Sequence, residues 1–256
     1  MNNVALNLDS LPDQTREVFA FLANEPLLKE FVLIGGTALA LQINHRLSED
    51  LDFWLPAQKL NKQDISTIVS RVKAQGFSVS LATPQGAIAT AKINGIDVLQ
   101  YAQDYAINNV KVTFFARSDN AFQYFTSFEK RVTDSASFSV MGIEGLFAMK
   151  AYVINQRAKS RDIFDLKALL QTNSFTIKDI FEYSQQADLA SAPESMKLVL
   201  TGLIPLDADD EGLVSIGESE PLSDIYDYFK REINEYEADI AKKILAELTG
   251  HPSPPF

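Results

Sequence analysis

The stretch FVLIGGTALALQINHRLSEDLDFWL, residues 31–55, constrains the fold more than any other part of the chain. The apolar run Phe31 to Ile34 ends in Gly35-Gly36-Thr37, and Asp50-Leu51-Asp52-Phe53 follows at a spacing of thirteen residues from Thr37. A short apolar run closed by glycines reads as a buried strand entering a tight turn. A helix is predicted from about Thr37, and a second strand over 51–55. Strand, turn, helix and strand thus succeed one another with no room for a long connection.

Each residue type in this unit has a physical use. Two adjacent glycines let the backbone turn sharply and approach a ligand with no Cβ in the way. A helix beginning near Thr37 points its free N–H groups and its dipole at the same spot, which makes it an anion site. Asp50 and Asp52 are two apart, so on a strand both carboxylates share one face. Two carboxylates beside a phosphate cradle suit magnesium on a triphosphate, and a third would complete a two-metal site. Taken singly, the glycine pair reads as an ordinary turn and Asp-x-Asp as a solvated strand face. Their order along the chain favours the functional reading.

The remainder is read more coarsely. Ser10-Leu11-Pro12 reads as a helix start, with Val18, Phe19, Phe21 and Leu22 as its apolar stripe. Residues 61–75 read as an amphipathic helix ended by Gly76. Residues 77–81, 87–93, 96–101 and 110–115 read as strands, the middle two joined as a hairpin by Asn94-Gly95. Beyond Gly142 the period turns helical, with helices predicted near 143–158, 161–171, 176–187, 193–200 and 223–249. The acid-rich segment 203–221 reads as a loop. The expected organisation is a catalytic α/β domain over 1–140 and a helical domain over 141–256, with a nucleotide in a cleft between them.

Two further features are candidates for chemistry. Asp97 lies in Ile96-Asp97-Val98-Leu99, where an acid in an apolar strand is costly unless ligated. It is either a third metal ligand or a solvent-facing hairpin residue. Lys150 stands in the apolar helical stretch LFAMKAYVI and either snorkels to water or points at phosphates. Arg157 is seven residues on and shares its helix face. Lys159 and Arg161 read as solvated face or substrate contact, and Asp162 and Asp165 as site residues or salt-bridge partners.

GGTALAL followed by HRLSEDLDF resembles the signature of DNA polymerase β-like nucleotidyltransferases, and more narrowly the AbiEii/AbiGii abortive-infection toxin branch. Arg46, Ser48, Asp50 and Asp52 match the branch's Arg-x-Ser-x-Asp-x-Asp strand. Lys150 and then Arg161, Asp162, Asp165 and Leu166 match its helical lysine and Arg-Asp-x-x-Asp-Leu block. The resemblance spans about residues 30–170. It implies an α+β fold, a polymerase β-like mixed sheet with flanking helices followed by a C-terminal helical region. It implies Mg²⁺-dependent transfer from a nucleoside triphosphate to a hydroxyl of tRNA or protein. Asp50, Asp52 and Asp97 would bind two Mg²⁺ ions and, with Lys150, carry catalysis. Gly35, Gly36, Thr37, Ser48, Lys150, Arg157 and Asp165 would bind the nucleotide. A cognate antitoxin is the further partner implied.

Composition bounds the alternatives. With no cysteine there is no disulfide or thiolate metal site, and His45 and His251 alone leave little room for zinc. The net charge of −11 argues against a broad nucleic-acid surface, and no DNA partner is expected, although the basic stretch from Lys150 to Arg161 offers a local phosphate site. The N-terminus lacks a signal-peptide pattern and no apolar run spans a bilayer, so a soluble cytoplasmic protein with no membrane partner is expected. Two competing readings stand: a small-molecule nucleotidyltransferase of the antibiotic-modifying type, and a non-catalytic nucleotide-binding regulator.

Overall fold

The structure is a computed structural model and describes residues 6–133 and 136–249; His251 lies outside them. The chain forms two compact units, Met1–Met149 and Lys150–Phe256. The first contains helix α1 (Asp13–Ala23), strand β1 (Val32–Ile34), α2 (Gly35–Ile43), β2 (Leu51–Leu55), α3 (Lys62–Ala74), β3 (Val79–Leu81) and α4 (Gln85–Ile93). It continues through β4 (Ala102–Ile107), β5 (Val110–Ala116), α5 (Asn120–Phe125), β6 (Lys130–Val132) and β7 (Ser139–Met141) into α6 (Ile143–Val153). The second unit holds the end of α6, then α7 (Ser160–Thr172), α8 (Ile177–Ala187), α9 (Pro193–Leu200) and the long α10 (Leu222–Thr249). Among the described residues no helix is long and apolar enough to cross a membrane.

The fold is α+β, with one mixed sheet. Its strands run in the order β3-β4-β5-β2-β1-β7-β6 among the described residues. β2 lies in the interior, antiparallel to β1 and parallel to β5. Period-2 alternation along β2 sends Phe53 to one face and Trp54 to the other. Phe53 stacks on Phe114 at 5.5 Å between ring centroids and meets Phe138 edge-on at 4.9 Å. Phe138 in turn packs on Phe19 of α1 at 5.7 Å. On the opposite face Trp54 meets Phe122 at 5.3 Å and donates its indole N–H to the Arg117 carbonyl. In the second unit α10 packs on α7, α8 and α9. It buries Ile225, Phe229 and Ile233, one turn apart, and its later apolar residues Ile244 and Leu248 are exposed.

Three expectations are corrected. The hairpin predicted at Asn94-Gly95 is instead the end of α4, which covers residues read as a strand. Gly95 takes φ +74°, its N–H bonds the Lys92 carbonyl, and the Ile96 N–H bonds Ala91. That is a Schellman helix ending, which needs the same left-handed glycine as a hairpin turn. The alanine-rich segment before it decides for the helix. The true hairpin joins β4 and β5 through Asn108-Asn109, both with positive φ as a primed turn requires. Ser10 does not cap α1; it donates to the Asn7 carbonyl within a preceding turn, and the helix starts at Asp13. α2 begins at Gly35, two residues before Thr37.

Because Phe53 is fully buried in the ring cluster, Phe53→Ala is expected to cost about 3–5 kcal/mol. Urea unfolding reads this as a lower midpoint at unchanged slope. Ile93→Ser, on the exposed end of α4, should stay within about 0.5 kcal/mol of the parent. A loss at Phe53 no larger than that control would mean the ring cluster is not the core of the sheet.

Candidate functional site

The sequence unit singled out above closes on itself at the junction of β1 and α2. Ile34 pairs with Asp52 across the two strands. Gly35 follows with φ +78°, and a Cβ built on it would lie 2.8 Å from Asp52 Oδ2. The backbone at Gly35 therefore lies directly against the Asp52 carboxylate, and only glycine satisfies both the dihedral and the space. A Cβ on Gly36 would lie 2.1 Å from Arg46 Nη2. Buried Arg46 thus folds its guanidinium over the first turn of α2, where it also donates to the Leu47 carbonyl at 2.9 Å. Ile34 precedes the helix and supplies no side-chain cap, although the first N–H groups of any helix lack helical partners.

The hydroxyls here have a defined task. Thr37 and Ser48 are buried with their oxygens 2.8 Å apart, and Thr37 donates to the carbonyl of Asp50. With Thr37 as donor to Asp50, Ser48 donates to Thr37. The pair ties the start of α2 to the backbone at Asp50. Asp50 itself immediately precedes β2, and both it and Asp52 are partly exposed. His45 lies in the loop that connects α2 to β2.

The reading of Asp97 loses its premise. Asp97 belongs to no strand; it precedes a short 3₁₀ turn on the surface. Its carboxylate accepts from Lys62 Nζ at 2.7 Å and from Gln100, and the Lys62 bond holds its pKa below the usual carboxylate value. The acid that the sheet aligns with Asp52 is Asp104. Asp52 on β2 is opposite Thr113 on β5, which is opposite Asp104 on β4. Cross-strand partners share a face, and the Thr113 hydroxyl donates to Asp104 Oδ1 at 2.9 Å. The signal that would have found Asp104 is the Asn108-Asn109 turn, because that hairpin fixes its register.

In the second unit Lys150 is 7% exposed and its Nζ lies 2.6 Å from both Asp162 Oδ1 and Asp165 Oδ2. The Asp162 and Asp165 side chains are 3% and 0% exposed. Arg157 adds a bond from Nε to Asp162 Oδ2 at 2.7 Å, its side chain half in solvent. Lys150 does not snorkel to water: the next helix supplies two carboxylates, the salt-bridge partners that Asp162 and Asp165 were open to being. Two cations and two carboxylates balance, as burial of charge demands. Burial pushes the Asp162 carboxyl up, but Lys150 and Arg157 outweigh it and hold its pKa below the ordinary value.

Known proteins resemble this chain over most of its length. The family model described as "Nucleotidyl transferase AbiEii toxin, Type IV TA system" matches residues 17–244. An uncharacterized protein of Aquifex aeolicus (strain VF5) is 22% identical over 231 residues, which cover 88% of this chain and 97% of that protein. The crystal structure of JHP933 from Helicobacter pylori superposes with a TM-score of 0.50 at 18% identity, over 93% of this chain and 98% of that one. The nucleotidyltransferase toxin MenT4 from Mycobacterium tuberculosis gives 0.43 at 13% identity, over 86% of each chain.

The Lys150 network makes a prediction about pH. Asp162 has a lowered native pKa, so its stabilisation is in place above about pH 4, the ordinary carboxylate range, and is lost as the pH falls through the lowered value. Lys150→Met removes from Asp162 and Asp165 the ammonium that both buried carboxylates share. At pH 7 the loss is expected to be about 3–5 kcal/mol. The variant should regain stability relative to the parent as the pH falls from 7 toward 4 and the uncompensated carboxylates take up protons. Urea midpoints measured across this range decide it; parallel profiles would show that Lys150 does not hold these charges.

Proposed function

The chain belongs to the AbiEii nucleotidyltransferase toxin family, and from that premise we propose that it moves a nucleotidyl group from a nucleoside triphosphate to a hydroxyl of tRNA or protein, with Mg²⁺, releasing pyrophosphate. One observation carries this reading: the Asp52 carboxylate occupies the space beside Gly35 at the uncapped start of α2. Helix-start amides attract phosphate oxygens. A carboxylate beside them repels the same oxygens unless a cation lies between.

The donors fit that cation. Mg²⁺ is usually held by one or two carboxylates together with substrate phosphates, and Asp50 and Asp52 are the carboxylates here. Among the described residues no group of three or more His, Cys, Asp or Glu suited to a metal occurs. The reading is that Asp50 and Asp52 would hold the metal together with the phosphates of the substrate. When bound, the ion would neutralise charge on the triphosphate.

The chain's own residues do the rest. The amides of Gly35, Gly36 and Thr37 hold phosphate oxygens, and Arg46 adds positive charge over the same turn. The Thr37 and Ser48 hydroxyls act indirectly, by fixing the backbone from which the Asp50 carboxylate projects. Lys150 is fixed by Asp162 and Asp165, and Arg157, bonded to Asp162 and half in solvent, completes that network. Positioning and charge neutralisation supply most of the catalysis in such transfers. The type IV toxin–antitoxin description of the family supports a cognate antitoxin as a further partner.

The test is incubation with each of the four triphosphates labelled at the α-phosphate, with Mg²⁺ and either a tRNA or a protein fraction. One triphosphate should label one fraction. Asp52→Asn should reduce labelling at least about 100-fold while the unfolding temperature stays within a few degrees of the parent. Transfer by Asp52→Asn at the parent rate would refute the site. Triphosphate binding with no labelling of any acceptor would put the regulator reading in its place.

A further inference from the structure

The acidic segment after α9 is not a free loop. Residues 209–211 run beside residues 159–161, at the start of α7, in a one-to-one register. The Lys159 ammonium pairs with Asp209. The Ser160 N–H and hydroxyl both donate to Asp210, at 2.9–3.0 Å. The Arg161 guanidinium pairs with Glu211 and donates to Ser215 at 2.8 Å. Farther along, Lys167 pairs with Glu220. The basic stretch that the sequence offers to phosphates is thus occupied by carboxylates of the same chain.

The burial is one-sided. The Lys159 and Arg161 side chains are 18% and 22% exposed, whereas their partners Asp209 and Glu211 are 87% and 67% exposed. The cations are covered, and the acids that cover them lie on the outside. The cover is also an imperfect partner. Glu211 and Ser215 both take Nη2 of Arg161, and its buried Nε has no hydrogen-bond partner. A phosphate would engage Nε and Nη2 together, the planar fork for which arginine is suited.

The segment is built to lift in one place. Residues 207–211 are Asp-Ala-Asp-Asp-Glu and bring no large apolar side chain. Beyond them, Leu213 and Ile216 are buried and pin the chain. Gly212 stands between the two parts with φ +72° and open space around its Cα. Asp210 and the Asp207 N–H stay anchored to Ser160 and to the Ala158 carbonyl, whereas the ion pairs of the exposed Asp209 and Glu211 contribute little to stability, so these two carboxylates are exchangeable for a stronger polyanion.

We propose that residues 207–211 form an acidic arm covering an RNA-binding face at the start of α7, and that the phosphate backbone of an RNA acceptor displaces the arm onto Lys159 and Arg161. The proposal rests on the reading that the acceptor is RNA. It explains how a chain of net charge −11 takes a polyanion: the local face is basic once the arm lifts, and the arm screens out weaker anions.

The test is binding of fluorescein-labelled bulk tRNA by anisotropy, without nucleotide or metal. This readout is independent of transfer and survives failure of the catalytic reading. Asp209→Asn with Glu211→Gln leaves the Asp210 contacts to Ser160 intact. This variant should bind tRNA about tenfold or more tightly, with a logarithmic salt slope steeper by about 1.5, as for two phosphates newly neutralised. Adding Lys159→Ala and Arg161→Ala should return affinity and slope to the parent values. No gain in the first variant, or a gain that persists without the two cations, overturns the proposal. Polyglutamate bound as tightly as tRNA would overturn the RNA assignment. Should the double variant prove less folded by circular dichroism, Glu211→Gln alone must still show a gain of several-fold, or the proposal fails.

Discussion

The structure of the first unit depends on β2 having neighbours on both edges and both faces. With β1 on one side and β5 on the other, its backbone groups are satisfied by strands, and its side chains must alternate between two packed layers. Phe53 then organises one layer and Trp54 the other. Asp52, immediately before Phe53, is the polar residue of a strand that is otherwise apolar. It is tolerated because the junction of β1 and α2 opens there: Gly35 has no side chain, and the carboxylate takes its place. Core packing and the site are one constraint in this region. The strand that holds the aromatic cluster also fixes the acid.

The second unit meets the cost of buried charge differently. Lys150 could not stand in an apolar helix without compensation, and α7 supplies Asp162 and Asp165 one turn apart. Such a network is weak evidence for stability, since apolar side chains of similar volume often serve as well. It is strong evidence for a fixed geometry, because one lysine bonded to two buried carboxylates has little rotational freedom. A third device operates at the surface of the same helix, where an acidic arm neutralises the cations preceding and opening α7. Buried charge is thereby fixed in place, while surface charge is left exchangeable.

The chain by itself determined the elements whose signals are local and mutually consistent. The glycine turn, the strand of Asp52, the helix from Asn61 and the helices beyond Gly142 all declare themselves through periodicity and caps. Two blocks of motif identified the family because their residue types are dictated by chemistry. Tertiary structure decided what depends on partners distant in sequence. Asn94-Gly95 supports a hairpin or a helix end equally well, since both need a left-handed glycine, and the choice falls to the residues around it. Asp97 and Asp104 are both acids near apolar residues, and only strand register shows which one aligns with Asp52. Lys150 was open to water, a phosphate or a carboxylate, because Asp162 and Asp165 lie twelve and fifteen residues away and folding alone brings them within hydrogen-bond reach. The acidic segment is the loop that the sequence indicates, and what the sequence hides is that its ion-pair partners begin fifty residues earlier. Charge pairing across such distances leaves no periodic trace in a sequence.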